Sequence, residues 1–293
     1  MTPATSPRTN HVSSHGPTSA PQSGGRACFG SGEERARVRA AVRLAIVLVL
    51  LPPSETKSHG GDGAPLDLGE LSMPQLTETR EMLVTALVEL SADAEASNVA
   101  LGLGPKQADE IERNAKLWVS PTRPAIERYT GVLFDALDAR SFTKTQREKA
   151  LRRLAMGSAL FGAVRAGDSI PAYRLSGGSK LPGFGTLQSL WKPELTDALL
   201  READGGLVVD LRSGVYRQLG TVPGAVSATV LTEQPDGTRK VVSHFNKHHK
   251  GLLARALTVT RAEPDSVEGI ARVAAKAGLR VEVASNSELV ILT

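Results

Sequence analysis

Cysteine is almost missing: Cys28 is the only one in 293 residues, and it lies near the amino terminus. The rest of the chain therefore holds no structural disulfide, no cysteine-ligated zinc or iron–sulfur centre and no thiol peroxidase nucleophile, which fits a reducing compartment. Aromatic residues make up only 4% of the chain, so a surface built from a row of stacking rings is not expected. The apolar run Leu44–Leu51 falls well short of the roughly 20 residues needed to cross a bilayer. No membrane association is expected, and the reading is of a cytoplasmic protein. There is no P-loop, no GxSxG elbow, no dinucleotide fingerprint and no HExxH helix, so no cofactor and no metal is expected.

Acidic residues are scarce in two stretches, and the net charge of +4 is unevenly spread. Residues 1–43 contain Arg8, Arg26, Arg35, Arg37, Arg39 and Arg43 against Glu33 and Glu34, a surplus of +4, so residues 44–293 sum to zero. An anion site in the latter part must come from local clustering. Residues 1–33 are rich in Ser, Thr, Pro and Gly, with almost no large apolar side chains, and read as a disordered leader. The run Leu44–Leu51 has the basic flank of a signal peptide, but Pro52-Pro53-Ser54-Glu55 offers no small-x-small cleavage site. Its length, β-branched content and proline stop suit a buried parallel strand. A start of translation near Leu44 would explain the leader, giving a division into 1–43 and a domain over 44–293.

Beyond that strand, apolar spacing predicts helices over 74–90, 104–118, 124–137, 144–154, 195–203, 250–257 and 267–277. Strands are expected over 206–211, 280–284 and 288–292, with a hairpin pairing 225–231 and 238–245 across Gln234-Pro-Asp-Gly237. Interleaved strands and helices place the chain in the α/β (mixed α+β) class, as one compact domain with a mixed central sheet and surrounding helices. No internal repeat and no linker divides residues 44–293.

Four constellations could carry chemistry. In Pro52-Pro-Ser-Glu-Thr-Lys57, a strand exit aims Ser54, Glu55, Thr56 and Lys57 at the crevice where open α/β sheets bind ligands, although a capped turn would look the same. Between Asp168 and Glu194 there is no acid, while Arg174, Lys180, Lys192 and the pair Gly177-Gly178 could meet an anion; a surface loop with scattered cations is the plain alternative. From Gly237 to Ala262 there are six Lys/Arg, three His and no acid, the density that phosphate contacts need. His244 and His248 stand one helical turn apart, but no third metal ligand accompanies them. In Leu101-Gly-Leu-Gly-Pro-Lys106, glycines open a helix, either as a simple helix start or as a hairpin between helices that presents amides to a phosphate. Glu55, Asp168 and Asp210 could do acid–base work, with Tyr129 as a further catalytic candidate, though no spacing singles out a pair.

Taken in order, Leu48-Val-Leu-Leu-Pro-Pro-Ser-Glu-Thr-Lys57, Tyr129-Thr-Gly131, Ser158–Arg165, Pro171-Ala-Tyr-Arg-Leu175, Leu190-Trp191, Val208–Tyr216 and Ser243–Gly251 resemble the blocks of the YaaA family. The resemblance covers about residues 46–293. It implies a one-domain mixed α/β fold with a positively charged cleft and a monomer. It also implies a role in the peroxide (oxidative) stress response that limits iron-dependent damage. DNA, duplex or branched, is the implied partner, bound by the cleft and a helix–hairpin–helix-like element. Lys57, Arg165, Tyr173, Arg174, Lys180, Lys247, Lys250 and Gly251 are the nucleic-acid or anion-binding residues expected there. Glu55 and the Arg165-Ala-Gly-Asp168 turn depart from the family pattern. Whether the protein is an enzyme stays open; the alternative to DNA binding is catalysis on a nucleoside, nucleotide or base, with a small phosphate-bearing ligand.

Overall fold

Leu48–Leu51 (β1) is buried at every residue, as a strand covered on both faces must be. The computed structural model describes residues 47–293 apart from residues 105 and 242. The leader, with Cys28 and its arginine run, and positions 44–46 lie outside the described residues. β1 lies parallel to both β3 (Leu154–Ser158) and β6 (Val208–Asp210), with Leu51 opposite Met156 and Leu50 opposite Asp210. β6 continues in parallel to β7 (Val226–Glu233), and β7 to β10 (Glu288–Leu292). Antiparallel β4 (Gly162–Arg165) and β9 (Arg280–Ser285) form the two ends, giving the order β4-β3-β1-β6-β7-β10-β9. β8 (Arg239–Val241) folds back antiparallel on the end of β7 and completes an eight-stranded mixed sheet. A separate two-stranded pair joins β2 (Arg123–Pro124) to β5 (Ser169–Ile170). The fold is the mixed α/β class expected.

The helices are α1 (Thr77–Leu90), α2 (Ala94–Leu101), α3 (Ala108–Ala115), α4 (Ala125–Arg128), α5 (Val132–Leu137), α6 (Lys144–Arg153), α7 (Leu187–Ala203), α8 (Gly214–Leu219), α9 (Ser243–Val259) and α10 (Val267–Lys276). Several depart from the periodicity reading, each for a local reason. The helix expected over 124–137 is two short ones, because Tyr129 is extended and Gly131 sits at φ +96, a conformation open to glycine. The helix expected over 104–118 shrinks to α3 and is preceded by α2, which Asp93 caps through the amides of Glu95 and Ala96. Residues 157–165, for which periodicity predicts no element, hold the end of β3, the turn at 159–161 and β4, which opens at Gly162, where φ is +70 and the Trp191 ring leaves no room for a side chain. α7 starts at Leu187, eight residues earlier than expected, because Thr186 accepts from the amide of Ser189. The hairpin at 234–237 forms as expected, but its second strand ends at Val241 and the chain is helical from Ser243.

One consequence governs the site. β1, β3 and β6 run in the same direction, so their carboxyl ends and the segments after them share one edge of the sheet, where open α/β sheets bind ligands.

Candidate functional site

The chain leaves β1 through Pro52-Pro53 and is then stitched to the break between α4 and α5. Lys57 forms an antiparallel bridge with Tyr129. Ser58 donates its amide to Arg128 O at 2.8 Å, and Thr130 Oγ1 donates to Thr56 Oγ1 at 3.1 Å. Below this seam Arg128 is buried. Its guanidinium donates to the carbonyls of Ile170 (3.0 Å), Ser58 (2.5 Å), Gly60 (2.7 Å) and Pro121 (3.3 Å). That arginine fixes the loop without needing an acid, because four carbonyl dipoles stand in for a counter-ion.

The Lys57 amine lies 4.2 Å from the centre of the Tyr173 ring and 5.5 Å from that of Tyr129. It donates to Ser54 O at 3.0 Å and Glu55 O at 3.4 Å. Burial of the ammonium lowers its pKa to about 7, with Arg174 and Arg113 pushing the same way and Glu110 and Glu55 opposing. A lysine in this state divides between amine and ammonium at neutral pH. That is the condition for acid–base or nucleophilic work.

Behind the lysine runs a chain of buried hydroxyls. Tyr129 and Tyr173 share a hydrogen bond of 2.8 Å, and Tyr173 and Ser158 one of 2.7 Å. Ser158 Oγ also accepts the amide of Phe161 at 2.9 Å. Burial raises the pKa of both phenols, so all three groups are protonated at neutral pH. Two internal links use two of the three protons, leaving one to be offered at an end of the chain. Phe134, stacked on Tyr129 at 5.5 Å, and Phe161, edge-on to Tyr173 at 5.3 Å, hold the rings.

Tyr173 is buried, whereas the side chain of its neighbour Arg174 faces a cleft. Buried Asn114 on α3 fixes the backbone there: its Oδ1 accepts Arg174 N at 2.8 Å and its Nδ2 donates to Arg174 O at 2.9 Å. The Arg174 side chain is 13% exposed and pairs at 2.9 Å with Glu55, whose side chain is 66% exposed. Arg174 Nε is buried and has no hydrogen-bond partner. These two residues line a cleft of about 1040 Å3 together with Lys180, Asp93, Glu95 and the turn at Gly178. Lys57 is not among the lining residues; it is half-buried and close enough to Glu55 and Arg174 for both charges to act on it. Nearby, Tyr216 OH accepts the amide of Gly177 at 3.2 Å.

The remaining candidates fall elsewhere or serve other ends. Asp210, at the end of β6, is buried and fully engaged by Arg212, which donates Nε at 2.9 Å, Nη2 at 2.8 Å and its own amide at 3.1 Å. Lys250 reaches the same edge and donates to Leu211 O at 3.2 Å, its pKa lowered to about 8 by burial and by Arg217. Gly251 lies where α9 crosses α5 so closely that a Cβ would strike the Leu133 carbonyl and come within 2.7 Å of Ala136 Cβ. Lys247 is exposed on α9, and Lys180 is exposed on the cleft rim. Arg165 sits opposite Ala155, three residues back along β3 from Ser158, and pairs with Glu202 at 3.3 Å and with Arg152 O. The strand geometry thus sets it about 10 Å from the Ser158 level.

The acid-free stretch 237–262 is dense in sequence but spread in space. Arg239 on β8 pairs with Glu282, Arg255 caps the carbonyls of Leu137 and Asp138 at the end of α5, and Lys250 turns inward. Among the described residues no three His, Cys, Asp or Glu converge as metal ligands, and no helix is long and apolar enough to cross a membrane. The side chain of His244 lies outside the described residues. Sequence reasoning does not single out Ser158, Asn114, Arg212 or Tyr216. Ser158 carries a signal, as a lone hydroxyl within an apolar run, and Arg212 stands two residues from its partner Asp210; Asn114 and Tyr216 depend on neighbours far along the chain.

Comparison with known proteins places these features in a family context. A family model described as peroxide stress protein YaaA matches residues 47–284. A UPF0246 protein of Corynebacterium efficiens is 53% identical over 241 residues, covering 81% of this chain and 95% of the relative. A UPF0246 protein of Corynebacterium glutamicum is 51% identical, with 80% and 95% covered, and one of Streptomyces coelicolor is 44% identical, with 80% and 92% covered.

Proposed function

The chain belongs to the peroxide stress protein YaaA family, and within it we propose that the strand-end crevice is a small-molecule site at which Lys57 works on an anionic ligand of the nucleoside or nucleotide class. The observation that carries this reading is one arrangement: Lys57 over the Tyr173 ring, whose hydroxyl is part of the Tyr129–Tyr173–Ser158 chain, with the Glu55–Arg174 pair close enough to act on the amine. The lysine takes or gives a proton, the hydroxyl chain donates one, and Arg174 holds the anion. The test is thermal unfolding in the presence of nucleosides and their monophosphates. A ligand at about 100 times its Kd adds about 2.7 kcal/mol to the folded state, a rise of several degrees in Tm. Phosphate-bearing ligands are expected to produce that rise in the native protein and not in Arg174→Gln. Equal curves for both proteins with every ligand would remove the reading.

DNA binding and the limiting of iron-dependent damage, which the family resemblance implies, form a second reading. It is favoured by exposed Lys247 on α9, with Lys250 and Arg217 at the same end of the helix. The glycine turn between α2 and α3 is less suited to phosphate, because residues 93–116 carry Asp93, Glu95, Asp109, Glu110 and Glu112 against Lys106, Arg113 and Lys116.

A further inference from the structure

Three features of the site remain unexplained by acid–base work alone. The half-buried Lys57 amine stands beside an ion pair: it donates to Glu55 O, and the charges of both Glu55 and Arg174 act on it. The acid of that pair is mostly exposed and fixed by little else, whereas Asn114 clamps the backbone of the arginine on both sides. Finally, Arg174 keeps a buried Nε–H with no acceptor, beside an Nη2 that does have one. A guanidinium edge that presents Nε and Nη2 together is the geometry a carboxylate or phosphate takes in bidentate fashion. Glu55 uses only half of it.

We propose that Lys57 captures a small aldehyde or ketone as an imine, and that an anionic group on the same molecule displaces Glu55 from Arg174. This rests on the small-molecule reading of the cleft and names the ligand's chemistry: a carbonyl compound bearing a carboxylate or phosphate. The amine lone pair of Lys57 adds to the carbonyl carbon, and a proton passes to the oxygen to give a carbinolamine. Loss of that oxygen as water leaves the C=N bond, so amine plus carbonyl becomes imine plus water with no change of oxidation state. The hydroxyl chain from Tyr129 to Ser158 is a nearby source of the proton. A lysine whose amine is partly neutral near pH 7 meets the requirement for the first step. The cation of Arg174 would keep it so in the unliganded state and secure the anion in the liganded one.

The experiment exposes the full chain to glyoxylate at neutral pH, reduces with borohydride, and maps the modified lysines by peptide mass. Reduction delivers hydride to the imine carbon and fixes the adduct as an N-carboxymethyl group. The expected result is one such group per chain, on Lys57, and none on that peptide in Lys57→Met. Glu55→Gln removes the competing carboxylate from an exposed position, so it is expected to fold normally and to label about threefold faster, as an exposed ion pair would allow. Arg174→Gln is expected to label more slowly. Glycolate, which has the same carboxylate but no carbonyl, separates the two ideas. Stabilisation by glycolate and glyoxylate alike, lost in Arg174→Gln, with no trapped adduct, would overturn the imine and leave the anion-binding cleft standing. Neither stabilisation nor adduct would overturn both. Labelling of Lys57 at the same rate as surface lysines would also overturn the imine. Running 2-deoxyribose 5-phosphate beside glyoxylate shows whether phosphate or carboxylate is the better anchor, by which labels Lys57 at the lower concentration.

Discussion

A lysine whose pKa falls from 10.5 to about 7 on folding leaves a mark on stability that requires no knowledge of its ligand. Between those two values the unfolded chain binds a proton that the folded one does not. Folding is therefore least favourable below pH 7, improves as pH rises through the window, and loses the penalty above 10.5. Replacing Lys57 with Met removes the buried ammonium. Lys57→Met is expected to be more stable than the native protein at pH 6–7 by about 2 kcal/mol after relaxation, and the gain should vanish toward pH 10.5. Urea unfolding of both proteins at a series of pH values checks this, and a gain that did not depend on pH would mean that the amine is not desolvated. Asp210 makes the opposite case. Its two oxygens are spent on Arg212, whose side chain is 1% exposed. Asp210→Ala would strand a buried guanidinium and is expected to cost about 3–5 kcal/mol in the same assay. A fully structured, equally stable Asp210→Ala protein with altered activity would instead return Asp210 to the catalytic group.

At the scale of elements, the crossing of α5 and α9 decides how the site edge is held, because α5 follows the Tyr129 break and α9 carries Lys250. Gly251 is the point of closest approach. Gly251→Ala would press a methyl group on the Leu133 carbonyl and is expected to lower stability by about 1–3 kcal/mol, seen as a lower urea midpoint with an unchanged slope. The family resemblance suggests Gly251 for anion binding, and the packing gives it a different reason to be there. Other elements differ in how legible they are. β1, β6 and β10 can be read from the sequence because their apolar runs are short, β-branched and bounded by turn residues, and β9 because Val281 and Val283 alternate with polar residues. The Gln234–Gly237 turn is legible because its chemistry is local. The β3–β4 hairpin is not: Met156-Gly-Ser-Ala-Leu-Phe-Gly162 has no alternation, as both its faces are covered, and its turn depends on the Trp191 ring over Gly162. The break at Tyr129–Gly131 is hidden in the same way, since helical spacing of Ile126, Leu133 and Leu137 runs straight through it. The site shares this division. Lys57 and Arg174 can be named from loop position and charge, but the partners that give them their properties, Asn114 and Ser158, come from segments 57 and 101 residues away from Lys57 along the chain.

For the molecule as a whole, charge sets what the two functional readings predict. Residues 44–293 carry no net charge, so no long-range field draws in a polyanion, and any duplex DNA contact in that part must be local. The stretch that is most suitable by composition is divided by the fold: Arg239 and Arg255 are engaged with the protein, and Lys250 donates to Leu211 O. Lys247 remains exposed. If α9 meets a phosphate, Lys247→Glu in the full chain should flatten the plot of log affinity against log salt by about 0.9 for each phosphate no longer neutralised, uniformly across DNA sequences. Because Lys247 does not line the cleft, the same substitution is expected to leave ligand-induced stabilisation through Arg174 unchanged. A full-chain titration of labelled duplex at several salt concentrations, run beside the thermal assay on the same two proteins, separates the outcomes. A reduced slope with intact stabilisation means two independent surfaces, one for a polyanion and one for a small molecule. An unchanged slope removes α9 from the DNA reading. Loss of both would mean that the helix end and the strand-end crevice form one site, with Lys250 as the residue that joins them.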